Sequence, residues 1–531
     1  MSRLVENKKG RTTRGGLRKA GRPGFVWSLP AILAFGVFAL LPLAFAVYLS
    51  FTRYNGIRLV PPQWIGLDNW ARVLTDTALH RSLLVTVILV VLALVTQVPV
   101  SLLIGVWAAG PQRVRAIVAA LYFIPLLMST AAVAVLWASI VDPNFGVPAL
   151  LTPLLGPDNV FSNILGKPAS AVGLVAFIYL WGATPLHTLR LDPHTHSRRP
   201  QRSHVDSSVL YVRPRDLCAR LRLRLCHRSD SHRSRIARLR RHDSCHGIRQ
   251  NAGHPGWTLM RTRPNWIAGI FAGIWLLIVL VPVYIMVRSA FESQQTYAAH
   301  GPLGLPSQFT LENFVYAINQ GFGLFLLNSG IVTVGTVLIV LLLVPPLAYA
   351  IVRSNSRWVR VVFRIMLFGL AIPAQVVVIP VFFLIDQLHL YDTLLGVIIP
   401  TAVFLIPLTT LILSTSMREI GAEQYEAMAL DGASSFRTFV TLVLPLSKGG
   451  IATIMIFTAL NAWNSYLIPL VLTRSQGIRV ATLGLGIFKQ QYSLNIPGLM
   501  AAIVMTIVPI LLIYIFARRA LTRGLMGVGS K

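Results

Sequence analysis

The chain has 531 residues, 54% of them hydrophobic and only 12% charged, with a mean hydropathy of +0.65. That balance excludes an ordinary soluble multidomain protein and points to an all-α, polytopic membrane protein. The formal net charge of +30 is distributed unevenly, so it informs topology before it informs partners.

A membrane span needs an apolar helix of about 20 residues, because backbone polar groups in hydrocarbon must be satisfied internally. Residues 1–24 form a basic tail: eight Lys or Arg up to Pro23 face Glu6 alone, which places the tail in the cytoplasm. No aromatic residue interleaves these charges, which argues against a nucleic-acid-binding arm. Ala44-Phe45-Ala46 resembles a leader cleavage site, but the apolar run from Phe25 exceeds a signal-peptide core, so an uncleaved span from Phe25 to Phe51 is expected. Leu83 to Ala109 returns to the cytoplasm, Ala116 to Val141 leaves it with a kink expected at Pro125, and Ala169 to Leu189 comes back. The loop between the last two, Asp142 to Lys167, has Lys167 as its only basic residue and reads as external. Residues 25–189 thus form a first half with four expected spans.

Residues 190–259 differ in kind. Between Arg190 and Thr258 there are 16 Arg and no Lys, five Asp and no Glu, eight of the 12 His and all three Cys. Folded basic domains mix Lys with Arg and Glu with Asp, so the expectation is a codon bias, a GC-rich region read out of frame, disordered and without function of its own. A zinc site at Cys226-His227 and Cys245-His246 lacks the close Cys pair such sites use. An RNA-binding insert built on Arg222, Arg224, Arg238, Arg240 and Arg241 has no accompanying folding pattern.

Residues 260–531 begin again, with the short basic lead Met260-Arg261-Thr262-Arg263-Pro264 before an apolar run from Trp266 to Val287. Gly323 to Val352, Val361 to Ile385, Leu394 to Ser416, Gly449 to Leu472 and Leu499 to Ala517 complete six expected spans, about ten in the whole chain. Arg518, Arg519 and Arg523 put the C-terminus in the cytoplasm, as for the N-terminus, whereas Arg474, Arg479 and Lys489 fall outside and fit the charge rule poorly.

One polar, helix-capable loop is set between the fourth and fifth runs of this half. Gln424 to Leu430 is rich in helix formers, Asp431-Gly432 punctuates, and Ser434 or Ser435 can cap a second helix that Pro445 ends. Phe436, Phe439, Val440 and Val443 fall at helical spacing on that second helix. Glu426, Ala427, Asp431, Gly432, Ala433, Leu444 and Pro445 resemble the EAA loop of binding-protein-dependent ABC importer permeases, with Met428 replacing the second Ala. Trp64-Ile65-Gly66-Leu67-Asp68-Asn69-Trp70, Phe309-Thr310-Leu311-Glu312-Asn313-Phe314, Asn328-Ser329 and Leu347-Ala348-Tyr349-Ala350 are similar to further phrases of the carbohydrate-uptake, maltose-type members. The second half resembles a six-span permease subunit. The first resembles its partner subunit as far as the fourth span and lacks an EAA loop of its own, as if two permease genes were fused and the first truncated or frameshifted. The resemblance implies a multi-pass protein of the cell membrane whose loop docks on a separate ABC ATPase, present in two copies. It also implies an extracytoplasmic solute-binding protein, a further permease subunit if the first half fails, and no nucleic acid.

The apolar interiors hold essentially no ionisable residue, with Arg364 about a turn inside one end, which disfavours an ion-coupled carrier. Gly166-Lys167 is followed by Pro168 and is no phosphate loop, so energy is expected from outside this chain. No catalytic residue, cofactor or metal site is expected. For a solute path the polar candidates are Gln97, Gln375, Asn461, Trp463 and Asn464, since an indole stacks on a sugar's CH face and an amide bonds its hydroxyls. The competing reading is structural: buried amides tie helices together and Trp favours the interface. From a different functional class, the alternative is a membrane-anchored Arg-rich nucleic-acid- or partner-binding protein.

Overall fold

The computed structural model describes residues 23–54, 61–108, 121–122, 124–156, 164–188, 266–305, 308–488 and 495–526. The basic tail, the Arg-rich stretch with its frameshift, disorder and zinc readings, and Lys489 lie outside them. Helices dominate, and among the described residues the single sheet is an antiparallel pair, β1 (Thr52–Arg53) and β2 (Gln63–Trp64).

The first half contributes α1 (Phe25–Ser50), α2 (Thr77–Ala108), α3 (Thr130–Ile140) and α4 (Pro168–Thr188). The second half contributes α5 (Trp266–Ala290), α6 (Phe322–Arg353), α7 (Arg357–Gly369), α8 (Ala374–Gln387) and α9 (Leu394–Arg418). It continues with α10 (Ala422–Leu430), α11 (Ser435–Leu446), α12 (Lys448–Trp463), α13 (Leu467–Leu472) and α14 (Ile496–Met526). Among the described residues, six segments are long and apolar enough to cross a membrane, in α1, α2, α5, α6, α9 and α14, and two sharply bent pairs, α7/α8 and α11/α12, bring the number to eight if each pair is one broken span. The shorter apolar helices Thr130–Ile140 and Pro168–Gly182 occupy the positions expected for the third and fourth spans.

Three expected spans are interrupted, each for a local reason. Val361 to Ile385 is not one helix: α7 and α8 meet at 108°, with Pro373 as the N-cap of α8. Proline disfavours helical backbone in the residue before it, so the chain turns there. Ala116 to Val141 breaks at Met128-Ser129, where the Ser129 hydroxyl accepts from the Ala132 amide at 3.1 Å and starts α3 afresh. Gly449 to Leu472 splits into α12 and α13 around Asn464–Tyr466. The Leu-Pro pairs behave differently: Leu41-Pro42 and Leu444-Pro445 each follow a π-turn, over Gly36–Leu40 and Phe439–Val443. A wider turn relieves the clash of a proline ring with the preceding turn and absorbs its missing donor, so the helix runs on through Pro42 to Ser50, whereas the one containing Pro445 stops one residue later, at Leu446.

The two halves exchange their first helices. α1 leaves the first half and packs on α6, α8 and α9, placing Ala31, Phe35 and Ala39 in a core with Val340, Val344, Leu347 and Ile406. In return α5 packs on α2 and α3 as well as on α14 of its own half. There Trp181 Nε1 donates to Val279 O at 3.2 Å, and the Tyr122 hydroxyl donates to Ala272 O at 2.6 Å. A second repeated device ends each first helix. Asn69 Nδ2 donates to Ser50 O (3.1 Å) and Thr52 O (2.8 Å), and Asn313 Nδ2 donates to Ala290 O (3.0 Å) and Glu292 O (2.7 Å). Helix C-termini leave carbonyls without intrahelical partners, and one amide side chain here satisfies two of them.

Candidate functional site: the helix-turn-helix loop of the second half

α10 ends in a complete Schellman turn. The Gly432 amide donates to Ala429 O at 3.1 Å and the Ala433 amide to Met428 O at 3.0 Å, with Gly432 at φ +71°. Residues with a side chain are strained at that φ, and no neighbouring atom would touch a Cβ at Gly432, so glycine is required by backbone conformation alone. Ser434 is the N-cap of α11, its hydroxyl accepting from the Arg437 amide at 3.2 Å. α11 runs to Leu446, and the chain then bends by 75° into α12.

The loop has two distinct faces. Tyr425, Ala433, Phe439 and Val443 are buried against the bundle. Glu426, Ala427, Asp431, Gly432 and Pro445 are exposed, Leu444 is half-buried, and Leu430 is 88% and Phe436 66% exposed. The outward face therefore combines three carboxylates, Glu423, Glu426 and Asp431, with the large apolar side chains Leu430 and Phe436, both mostly exposed among the described residues. Of the apolar set at helical spacing, Phe439 and Val443 point inward, while Phe436 and Val440 point out.

Two contacts that hold the loop were not legible in the sequence. The Arg353 guanidinium, at the end of α6, lies 4.0 Å from the centroid of the Tyr425 ring. Burial raises the Tyr425 pKa, and Arg353 partly offsets that. Trp27, in the first turn of α1, is in ring contact with Phe439 (5.1 Å), Tyr349 (5.5 Å) and Phe436 (6.3 Å). The first half thus touches the loop directly. Tyr349 stood out within a family-like phrase, but no sequence signal pairs it with a tryptophan so distant in the chain.

The candidate solute-path residues do not converge. Gln375 and Asn461 are exposed, and Asn461 Nδ2 donates to Phe457 O on its own helix at 2.8 Å. Trp463 is buried and its Nε1 donates to Thr506 O on α14 at 3.1 Å, the helix-tying role. Asn464 alone reaches across the halves, Nδ2 to Leu127 O at 3.5 Å, with its buried Oδ1 unpaired. Gln97 is half-buried on α2. A cavity of about 340 Å³ between Trp137, Phe177, Leu174, Ile278 and Pro282 is apolar and holds none of these amides. Arg364 is exposed on α7, the first member of the bent pair α7/α8. One buried charge pair was missed: Arg288 and Glu292, 1% and 0% exposed, meet at 2.5 Å where α5 ends. No cluster of metal-ligating side chains occurs among the described residues.

The end of α6 opposite the loop is clasped by backbone contacts. Asn328 Nδ2 donates to Gly477 O (2.9 Å) and Arg479 O (3.0 Å), and the Ser329 hydroxyl accepts from the Ala481 amide (2.9 Å). Asp392, at φ +58°, accepts from the Arg474 and Ser475 amides at 2.6 and 2.9 Å, which holds its carboxyl below the usual range.

A sequence profile for the inner membrane component of binding-protein-dependent transport systems matches residues 346–526, which contain the loop. An ABC transporter permease protein of Caldicellulosiruptor sp. strain Rt8B.4 is 32% identical over 262 residues, covering 49% of this chain and 95% of the relative. The diacetylchitobiose uptake permease of Streptomyces coelicolor is 34% identical, covering 46% of this chain and 82% of its own length. The arabinooligosaccharide transport permease of Halalkalibacterium halodurans is 29% identical, covering 50% and 96%. A relative spanned almost completely at that identity, on a helical membrane fold, shows that the chain belongs to the inner-membrane permeases of binding-protein-dependent ABC transporters, transport components rather than enzymes.

Proposed function

We propose that this chain is the membrane-spanning permease of an ATP-driven importer for a sugar or oligosaccharide, and that residues 422–446 couple it to ATPase subunits bound on the cytoplasmic side. The observation that carries this reading is the two-faced loop: a rigid Schellman-turned helix pair anchored by Tyr425, Ala433 and Phe439, presenting Leu430, Phe436 and three carboxylates outward. Apolar side chains ringed by charge fit a docking surface. The names of the Streptomyces and Halalkalibacterium relatives support a carbohydrate substrate.

In this reading two ATPase copies close on ATP, the loop moves with its ATPase, and the helices alternate access to a solute delivered by an external binding protein. Both termini face the cytoplasm. Residues 25–189 and 260–531 are two permease units joined through 190–259, a reading that the exchanged first helices and the paired Asn69 and Asn313 clamps support. The first unit lacks a docking loop and contributes one coupling contact fewer than a complete pair.

The test is Gly432→Pro. Proline fixes φ near −65° where the turn needs +71°, and it removes the Gly432 amide that donates to Ala429 O. The variant is expected in the membrane at normal abundance, with ATP-dependent uptake abolished. Uptake at the unaltered rate would refute the coupling role.

A further inference from the structure

α7 separates cationic and apolar side chains onto two exposed faces. Arg357, Arg360 and Arg364, at i, i+3 and i+7, share one exposed face, and the helix has no carboxylate to pair with them. Trp358, Val361, Ile365 and Phe368 form a second exposed face beside it, with Trp358 60% and Phe368 77% accessible. Val359, Val362 and Met366 form the third face, buried where α7 packs on α6, α9 and the first turn of α1. The helix leaves α8 at 108°, so the two cannot both run along the membrane normal.

We propose that the outer side of α7 binds anionic phospholipid. The three arginines hold the headgroup phosphate, and Trp358, Val361, Ile365 and Phe368 lie among the acyl chains. A helix with adjacent cationic and apolar exposed faces lies in the membrane interface, aromatic side chains at headgroup level and cations on phosphates. Arginine suits the site because its planar donors match phosphate in pairs. An acidic protein surface would answer the arginines but leave Ile365 and Phe368 in water unless it covered them too, whereas one lipid satisfies both faces. Only the leaflet, cytoplasmic, depends on the coupling assignment above. α7 touches the turn of α1 that carries Trp27, so a bound headgroup steadies the corner on which the loop rests.

The test uses the full chain purified in a neutral detergent, with phosphatidylglycerol or phosphatidylcholine added and retained lipid counted by native mass spectrometry. The wild type is expected to retain phosphatidylglycerol preferentially. R357Q/R360Q/R364Q is expected to lose at least tenfold of that preference, since each basic residue near an anionic surface contributes roughly fivefold. R474Q/R479Q, on the clasp opposite the loop, is the control and should leave the preference intact. F368S should weaken retention of both lipids. The site is overturned if the triple arginine variant keeps the preference, including the case in which it loses ATPase binding instead, or if the control lowers it equally. No ATP, ATPase or solute enters the lipid measurement, so failure of the coupling role leaves its outcome unaffected.

Discussion

Trp27→Ala tests whether the first half is mechanically joined to the loop of the second. The half-buried indole meets Phe439 at 5.1 Å and 70°, Tyr349 at 5.5 Å and 81°, and Phe436 at 6.3 Å. Edge-to-face pairs are worth about 0.5–1.5 kcal/mol each beyond their burial, so losing the Phe439 and Tyr349 pairs removes about 1–3 kcal/mol of contact. A contact can bias a conformational equilibrium by no more than its differential energy between the two states. If half of that difference is realised between the open and closed forms, about 0.5–1.5 kcal/mol, transport per ATP falls roughly two- to thirteenfold. The assay is solute uptake and ATP hydrolysis in proteoliposomes carrying the cognate ATPase and binding protein. Trp27→Ala should still bind ATPase, because Leu430, Glu426 and Asp431 are untouched, yet take up less solute per ATP. Trp27→Phe keeps a smaller ring in the same place and should fall between. Equal uptake per ATP in Trp27→Ala and wild type, with both monodisperse, would refute the clasp.

Two further outcomes follow from charged groups. Glu292→Gln leaves the Arg288 guanidinium buried against Gly301 O without its counter-charge. Breaking a buried pair by removing one partner costs about 3–5 kcal/mol, so thermal unfolding in detergent should shift clearly downward, and an unchanged midpoint would refute a structural role for the pair. Asp392 has a depressed pKa through the Arg474 and Ser475 amides. Its stabilisation is therefore present above the unfolded carboxylate value, about 4, and is lost as pH falls through the lower folded value. Hydrogen exchange at the Arg474 and Ser475 amides, corrected for intrinsic rates, should lose protection in acid in the wild type and be low at every pH in Asp392→Asn.

The helical class, the position of the loop and the turn at Asp431-Gly432 were legible because each rests on local chemistry: apolar runs, a glycine and a capping serine. The breaks at Pro373 and Ser129 were written in the sequence too, but apolar composition runs straight through both and masked them. What composition cannot carry is which face a residue takes. Phe436 and Phe439 look alike in the sequence, yet one is exposed and the other packs on Trp27. Trp463 illustrates the same limit: an indole beside an amide suits a sugar, but its N–H is spent on Thr506 O. The exchange of α1 and α5 was out of reach altogether, because apolar spans carry no address for their partners.

That exchange makes the fusion itself testable. Joined halves usually need their linker only to raise local concentration. Here α1 already lies in the core of the second half, through Ala31, Phe35 and Ala39, and α5 is hydrogen-bonded into the first through Val279 and Ala272. Two interlocked helices, packed by small and aromatic residues, should hold separate chains together in a bilayer, where each interhelical hydrogen bond adds about 0.6 kcal/mol to van der Waals packing. Residues 1–189 and 260–531, produced as two polypeptides with one affinity tag, are therefore expected to co-purify in near-equal amounts. Trp181→Phe with Tyr122→Phe should weaken that association measurably. If the tagged half is recovered alone while each half reaches the membrane, the stretch 190–259 does more than join two units, and the reading of the chain as a fused pair fails.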